Sequence, residues 1–263
     1  MRLTYMIISV ILIHNMTLSA ESWKIDTGAG IWGSAPSGTI TSTLEQTLYF
    51  QDDFSTHIPI QNGYFYFSLR HPLPIIPNLR FEYIDISTQG ESIEVGVSSS
   101  FFPIGGGVRL HAVSSTLQMQ QYDCILFYNL LEKKMGLTFD VGLDLKYLLS
   151  DYKIYEVVNS SDSTLIPLLY VRGHFDLPVV DMGIEGDARY ITDGSSTVYD
   201  LRVKINYTMM FIPVVHPGIE LGYRVEQFTS KGDESALLGP IVSSETDSDI
   251  GFSGFYAGVT LKF

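Results

Sequence analysis

The sequence predicts an all-β fold: an antiparallel transmembrane β-barrel of about ten strands, with eight and twelve as the outer bounds. Three observations carry this prediction. Apolar residues alternate with polar ones over segments of strand length, the polar positions carry charges of both signs, and no window of 18 consecutive apolar residues is present. A membrane protein without such a window must cross with strands, because only helices and closed barrels satisfy every backbone polar group in lipid.

The first twenty residues have the composition of a signal peptide. Arg2 supplies a short positive region, residues 6–13 form a largely apolar run, and residues 18–20 offer small side chains for cleavage. An uncleaved anchor helix is the alternative, but the apolar run falls far short of the roughly 20 residues that a spanning helix needs. We therefore predict a signal peptide at 1–20 and a single exported barrel domain at 21–263.

Composition excludes several classes of function. The formal net charge of −13 leaves little cationic surface for phosphate contacts, so we expect no binding to nucleic acid. Cys124 is the single cysteine, and we expect it to be a free thiol that is buried or faces lipid. The sequence has no zinc-ligand spacing, no Gly-rich phosphate loop and no Gly-x-Ser-x-Gly elbow, so we predict neither a metal nor a cofactor.

The clearest strand signal lies in residues 135–147. One face carries Met135, Leu137, Phe139, Val141, Leu143, Leu145 and Tyr147, and the other carries Gly136, Thr138, Asp140, Gly142, Asp144 and Lys146. A period of two places these sets on opposite faces of a strand. Such a strand, at about 3.3 Å per residue and tilted near 45°, spans roughly 30 Å, the thickness of the hydrocarbon core.

Three later segments repeat this pattern, at 198–207, 218–226 and 254–263. Across the four segments one face is entirely apolar or aromatic, whereas the other is mostly charged residues and glycine. The charged positions, which we take as the candidate functional residues, are Asp140, Asp144, Lys146, Asp200, Arg202, Lys204, Glu220, Arg224, Glu226 and Lys262.

Alternation alone does not decide which face points inward. A soluble lipocalin-like barrel has its apolar face inside, and a membrane barrel has it outside. Five acidic and five basic residues share the polar face, a balance expected of charges that pair within a confined lumen. Aromatic residues end the apolar stripes, as in an interfacial girdle, at Tyr147, Tyr199, Tyr207 and Phe263. The charges are therefore predicted to line the lumen.

The strands are predicted near 22–33, 61–71, 78–88, 114–130, 135–150, 164–177, 179–192, 196–209, 218–228 and 250–263. An even number places both termini on one side, the periplasmic side in bacterial barrels. The connections at 72–77, 131–134, 178 and 210–217 are then periplasmic turns. The outward loops are 34–60, 89–113, 151–163 and 229–249, with a tight turn at 193–195. Within these loops, 39–43 and 93–97 could instead extend strands above the membrane.

Several motifs resemble a family of uncharacterised proteobacterial outer-membrane β-barrel proteins. They are Gly28-Ala29-Gly30-Ile31-Trp32 with Pro36-Ser37-Gly38, Gly63-Tyr64-Phe65-Tyr66, His71-Pro72-Leu73-Pro74-Ile75-Ile76-Pro77-Asn78-Leu79-Arg80 and Leu169-Tyr170-Val171-Arg172-Gly173. The resemblance implies a barrel in the bacterial outer membrane and brings no activity or catalytic residue. The last strand, ending at Phe263, also resembles the signal that the outer-membrane assembly machinery reads.

Further charges fall on the other predicted strands: Arg80, Glu82, Arg172, His174, Asp176, Asp181, Glu185, Asp187 and Arg189. Together the inward charges could form the selectivity lining of a narrow channel or a network that fills and closes the barrel. The near balance of signs and the small strand number favour the closed barrel. The glycines on the inward face are expected to make room for long Arg and Lys side chains.

The alternative is an outer-membrane hydrolase, a protease or lipid A-modifying enzyme, with its site at the extracellular rim. Asp52, Asp53 and His57 could form an omptin-like site, but no spacing makes them converge. The acidic run 245–249 could bind a divalent cation, although a solvated loop fits it better. We therefore predict a non-enzymatic structural or adhesive barrel, or a narrow low-conductance pore. Its predicted partners are outer-membrane lipid, lipopolysaccharide and the assembly machinery.

Overall fold

The computed structural model describes residues 23–41, 47–49, 60–73, 75–97, 108–134, 136–154, 158–177, 180–209, 214–231 and 247–263. Within these ranges no helix is long and apolar enough to cross a membrane. The predicted signal peptide at 1–20 and the rim candidates Asp52, Asp53 and His57 lie outside the described residues.

The strands are β1 Lys24–Thr41, β2 Thr47–Tyr49, β3 Ile60–Arg70, β4 Asn78–Val97, β5 Val108–Lys134, β6 Leu137–Ile154, β7 Val158–Asp176, β8 Met182–Thr192, β9 Ser196–Thr208, β10 His216–Ser230 and β11 Asp247–Lys262.

The described strands form one closed antiparallel barrel. From β3 to β11 each strand pairs with the next in sequence, and β1 pairs with β3 on one side and β11 on the other. The β1–β11 ladder runs from Asp26 opposite Lys262 to Thr41 opposite Asp247 and closes the cylinder. The short β2 pairs only with the far end of β1. The wall therefore has ten strands, which confirms the predicted fold class.

Five strands run well past their predicted ends. The first, β1, continues to Thr41 and so takes up the start of the predicted loop 34–60. The β4–β5 ladder continues from Thr88 opposite Leu117 to Val97 opposite Val108, and β6 stays paired with β7 up to Ile154 opposite Val158. The predicted loops at 89–113 and 151–163 are therefore mostly strand. These segments show little alternation, because above the membrane neither face of the hairpin needs to be apolar.

Two glycines at tight turns adopt a left-handed backbone. Gly194 has φ of 95° in the turn between β8 and β9, where the Asp193 carboxylate accepts a hydrogen bond from the Ser196 amide. Gly136 has φ of 81° in the turn between β5 and β6, so its predicted place on the inner wall is wrong. Positive φ is nearly free of cost only for glycine, which explains the residue type at both turns.

The facing of the strands is that of a membrane barrel. Leu143 and Leu221 are 54% and 60% exposed on the outside, whereas Asp144 and Arg224 are 0% and 2% exposed inside. A soluble barrel would show the reverse arrangement. An exterior of this kind is stable only where hydrocarbon covers it, so the fold is a transmembrane β-barrel.

Aromatic side chains edge the apolar exterior at both ends. One girdle holds Tyr83, Tyr122, Tyr147 and Tyr190, and the other holds Tyr128, Phe175, Tyr207 and Phe263. Between Leu137 and Tyr147 the strand β6 rises about 33 Å, and a tilt near 40° reduces this to about 25 Å, the height of the apolar band in such barrels. The ends of the chain that the structure describes lie at the second girdle.

Candidate functional site

A cluster of buried ionic side chains fills the middle of the lumen. Within the described residues it contains nine carboxylates and eight Arg or Lys side chains. We call this set the charge cluster: Glu82, Asp123, Asp140, Asp144, Glu185, Asp187, Asp200, Glu220 and Glu226 with Arg70, Arg80, Lys146, Arg172, Arg189, Arg202, Lys204 and Arg224. The positive and negative charges must nearly balance, because an unpaired ion buried away from water strongly destabilises the folded state.

Arg189 on β8 is the centre of the cluster and is fully buried. One terminal nitrogen donates to Glu82 and the other to Asp200, each at 2.7 Å. Asp123 and Asp144 lie 3.4 Å from the same guanidinium. A single Arg therefore joins strands β4, β5, β6 and β9 across the lumen.

Lys146 on β6 forms a second junction. Its ammonium lies 2.9 Å from Asp123 and 2.9 Å from Glu226 on β10. Gln121 links the same groups, because its amide donates to Glu226 at 2.8 Å. Arg224 then binds Asp200 with two nitrogens, at 2.9 and 2.7 Å. Bidentate pairs of this kind fix orientation as well as charge.

The remaining charges extend the cluster toward the end of the barrel where the chain termini lie. Arg172 donates to Asp140 at 2.7 Å and also binds Glu185. Lys204 lies between Glu185, at 3.3 Å, and Glu220, at 2.8 Å. Hydrogen bonds thus connect inner side chains of most strands into one network.

An apolar layer closes the lumen on the other side of the charge cluster. Its buried members are Trp32, Ile84, Ile86, Met119, Leu148, Ile166, Leu168, Val198, Phe228, Ile250, Phe252 and Tyr256. These side chains come from β1, β4 to β7 and β9 to β11, so the layer reaches across the barrel. Arg224 packs over the Trp32 ring, 4.9 Å from its centroid, and so joins the two layers.

A cavity of about 20 Å³ lies where the two layers meet. Its lining includes Tyr64, Tyr66 and Tyr256 beside Arg202 and Lys204. This volume holds about one water molecule, since a water needs at least roughly 10–15 Å³. Among the described residues, the lumen at this level therefore has room for a water molecule but not for a larger solute.

The structure places nine of the ten predicted lumen charges in the charge cluster. Lys262 is the exception: it lies near the end of the barrel, and its ammonium donates to the Thr208 hydroxyl at 3.0 Å. In the β10–β11 ladder Glu220 pairs with Gly258, and Lys262 lies two inward positions further toward the end of β11. It is therefore beyond the last carboxylate of β10. Phe263 is half-exposed beside β1, and its amide donates to the Ile25 carbonyl.

Two of the additional predicted charges do not point into the cluster. Asp181 is exposed at the bend before β8, where the strand has not yet begun. Asp176 is half-exposed at the end of β7 and lies 2.9 Å from His174, whose other ring nitrogen is 3.3 Å from Glu185. His174 therefore forms the boundary between the cluster and the open end of the barrel.

Two of the inward glycines accommodate tyrosine rather than Arg or Lys. A Cβ at Gly222 would lie 2.6 Å from the Tyr256 ring, and one at Gly258 would collide with the Tyr64 hydroxyl. Tyr64 lies edge-on to Tyr256, with ring centroids 5.6 Å apart, and donates to Glu220 at 2.6 Å. The prediction that glycine makes room for cationic side chains was wrong at these positions, because tyrosine side chains occupy the space beside them.

Several residues in or beside the charge cluster were missed from sequence. Gln121 and Asp123 share the inner face of β5 with Ile125 and Phe127, so that strand has no clean alternation. Tyr64 and Tyr66 lie in an unbroken aromatic run, which likewise hides the period of two. Each of these residues lies two positions from another inward residue on its strand, and this spacing is the sequence signal that could have identified them.

The described residues contain no group of His, Cys, Asp or Glu that could hold a metal ion. Of the acidic run considered for a cation, Asp247 to Asp249 belong to β11, and the Thr229 hydroxyl donates to Asp249 at 3.1 Å. Glu245 and Thr246 fall outside the described ranges.

The fold and the filled lumen together define a class: a ten-stranded transmembrane β-barrel whose interior, among the described residues, is filled by ion pairs and apolar packing. No family model matches the chain, and no curated protein matches its sequence.

Solved structures with similar outlines exist. The outer membrane protease OmpT from Escherichia coli is 10% identical, with 93% of this chain and 99% of that chain covered and a TM-score of 0.47. The attachment invasion locus protein Ail of Yersinia pestis is 6% identical, with 92% and 100% covered and a TM-score of 0.37. The toluene transporter TodX of Pseudomonas putida is 7% identical, with 94% and 91% covered and a TM-score of 0.28. These likenesses are too loose to assign a function.

Proposed function

We propose that this protein is a closed barrel of the bacterial outer membrane that serves as a structural and adhesive platform, without enzymatic or channel activity. The observation that carries the proposal is the filled lumen. Arg189, Lys146 and Asp200 are completely buried at its centre, and an apolar layer covers them on one side. A conducting barrel would need a continuous polar path of ion width instead.

The outer-membrane location is supported by the distribution of polarity. Lipid-facing apolar side chains, two aromatic girdles and an inward set of charges are the properties of outer-membrane barrels. The exported character predicted for residues 1–20 agrees with this location. We propose that outer-membrane lipid, lipopolysaccharide and the assembly machinery are its partners there.

The adhesive part of the proposal derives from the height of the wall. Between Tyr83 in the girdle and Val97 at the tip, β4 continues for about 45 Å along the strand, paired with β5 throughout. On the other side of the barrel, β8 and β9 turn at residues 193–195, soon after Tyr190. Among the described strands β4 and β5 therefore rise well above the β8–β9 turn, which gives a partner a tall surface to contact.

Planar-bilayer recording tests the closed barrel. The refolded protein is expected to show no discrete current steps. The double variant Phe228→Ala with Phe252→Ala thins the apolar layer and shows what a leak would look like. The double variant Phe255→Ala with Phe65→Ala makes the same chemical change on the lipid-facing side and serves as its control. Steps in the unmodified protein would overturn the proposal.

Cleavage assays test the absence of enzymatic activity. The refolded protein is incubated with a peptide library and with lipid A, and no turnover is expected. Turnover that disappears in Asp52→Asn, Asp53→Asn or His57→Ala would establish the rim hydrolase in place of the platform.

A further inference from the structure

The outer wall has a recess between β3 and β4, at the girdle far from the chain termini. It is an open depression of about 450 Å³ rather than an enclosed cavity. We call it the β3–β4 recess; it is lined by Gln61, Gly63, Tyr64, Phe65, Tyr83, Asp85 and Ser87.

Gly63 creates the space. It lies directly opposite Asp85 in the β3–β4 ladder, on the lipid-facing side. A Cβ built at Gly63 would meet nothing within 4 Å, so the absence of a side chain there is not required by packing. Any larger residue would fill the recess without straining the backbone.

The two ends of the β3–β4 recess differ in polarity. On the membrane side Phe65 lies opposite Tyr83, and Tyr83 packs against Tyr122 with ring centroids 5.0 Å apart. On the water side the lining consists of Gln61, Asp85 and Ser87. An occupant must therefore offer an apolar surface below and hydrogen-bonding groups above.

Asp85 supplies an unused acceptor. Its Oδ1 atom is buried and has no hydrogen-bond partner among the described residues. The Asp85 side chain as a whole is partly exposed and lines the recess, so its other carboxylate oxygen can accept hydrogen bonds from an occupant that brings hydroxyl or amide donors. The lining contains no Arg or Lys, which disfavours a phosphate as the bound group.

We propose that the β3–β4 recess binds a sugar residue in the headgroup of a membrane glycolipid of the lipopolysaccharide type. The C–H face of a sugar packs on Phe65 and Tyr83, its hydroxyls donate to Asp85 and Gln61, and its acyl chains follow the apolar wall below. This inference rests on the proposed outer-membrane location, which places such glycolipids beside this girdle. It adds a defined site to that location.

Binding of purified lipopolysaccharide to the protein in phosphatidylcholine nanodiscs provides the test. Gly63→Leu fills the recess, and Asp85→Asn removes the charge while keeping the shape. Each is expected to weaken binding about tenfold, the equivalent of one charge-assisted hydrogen bond or of the lost cavity. Gly173→Leu is the matched control, because Gly173 also has nothing within 4 Å of its Cβ but lies on β7, away from the recess.

The outcomes separate the possibilities. Binding that falls in Gly63→Leu and Asp85→Asn but not in Gly173→Leu supports the site. Unchanged binding in the first two variants overturns it, and so does a loss in Gly63→Leu alone, since the recess would then hold an acyl chain. If the deacylated saccharide binds with the same affinity as intact lipopolysaccharide, the acyl chains contribute nothing, and the proposal that the ligand is a membrane glycolipid is overturned. Bilayer conductance tests the closed barrel separately, so the two proposals fail independently.

Discussion

Lys146 on β6 and Glu226 on β10 lie on opposite walls of the barrel, yet the Lys146 ammonium is 2.9 Å from the Glu226 carboxylate. The pair therefore crosses the lumen rather than running along the wall. Since three strands separate β6 from β10 on one side of the cylinder, such a contact exists only after the barrel has closed. The interior is thus tied together at its full width.

Removing the Lys146 cation should be costly. Lys146→Met leaves Asp123 with Arg189 and Glu226 with Arg224 as the remaining cation, and we expect the free energy of unfolding to fall by about 3 kcal/mol, the lower end for breaking a buried ion pair. Urea titration of the lipid-refolded protein measures this. In the double variant with Glu226→Gln, the total loss should be about 0.5–3 kcal/mol smaller than the sum of the single losses. Strict additivity would contradict a direct interaction.

A charge on the lipid side should be costly as well. Val203 is 59% exposed in the apolar band, so Val203→Arg places a cation in hydrocarbon. We expect a loss of about 2–4 kcal/mol of unfolding free energy, as for Arg near the bilayer midplane. Val203→Leu serves as the control, with little change. If the Arg variant is as stable as the Leu variant, this face does not contact lipid.

The contact of Gly222 with Tyr256 gives a third prediction. A Cβ at Gly222 would lie 2.6 Å from the tyrosine ring, so Gly222→Ala should cost about 1–3 kcal/mol through overpacking. Gly173→Ala, with nothing within 4 Å of the new atom, should be close to neutral. Unfolding titrations of both variants under the same conditions make the comparison. Equal stabilities would contradict the close packing of the Tyr256 ring and the Val203 carbonyl around Gly222.

Cys124 reports the depth of the wall in the membrane. It lies on the outer face of β5 between Phe81 and Leu145, both exposed to lipid. A pyrene maleimide attached to Cys124 should be quenched by brominated lipid and protected from iodide in the water. Stronger quenching by iodide would show that β5 is not embedded at this height.

The segments with strict alternation were predicted well. Residues 137–147 and 198–207 lie in β6 and β9 with the expected faces, because one face of each contacts lipid and the other contacts ions. β5 was predicted less well: its inner face mixes Asp123 with Ile125 and Phe127, so burial inside the barrel does not require polarity there. The heights of β4 and β5 were also underestimated, because their upper parts no longer contact lipid.

The sequence by itself determined the class of fold, a strand number of about ten and the lipid-facing side of the strands that alternate strictly. These follow from a local rule: neighbouring residues on a strand point to opposite faces, and each face has its own solvent. Only the tertiary structure decided that Arg189 meets both Glu82 and Asp200, and that Tyr256 lies over Gly222. Such contacts depend on the register with which β1 closes on β11 and on side-chain packing across the lumen. Neither quantity is encoded in the alternation of a single strand.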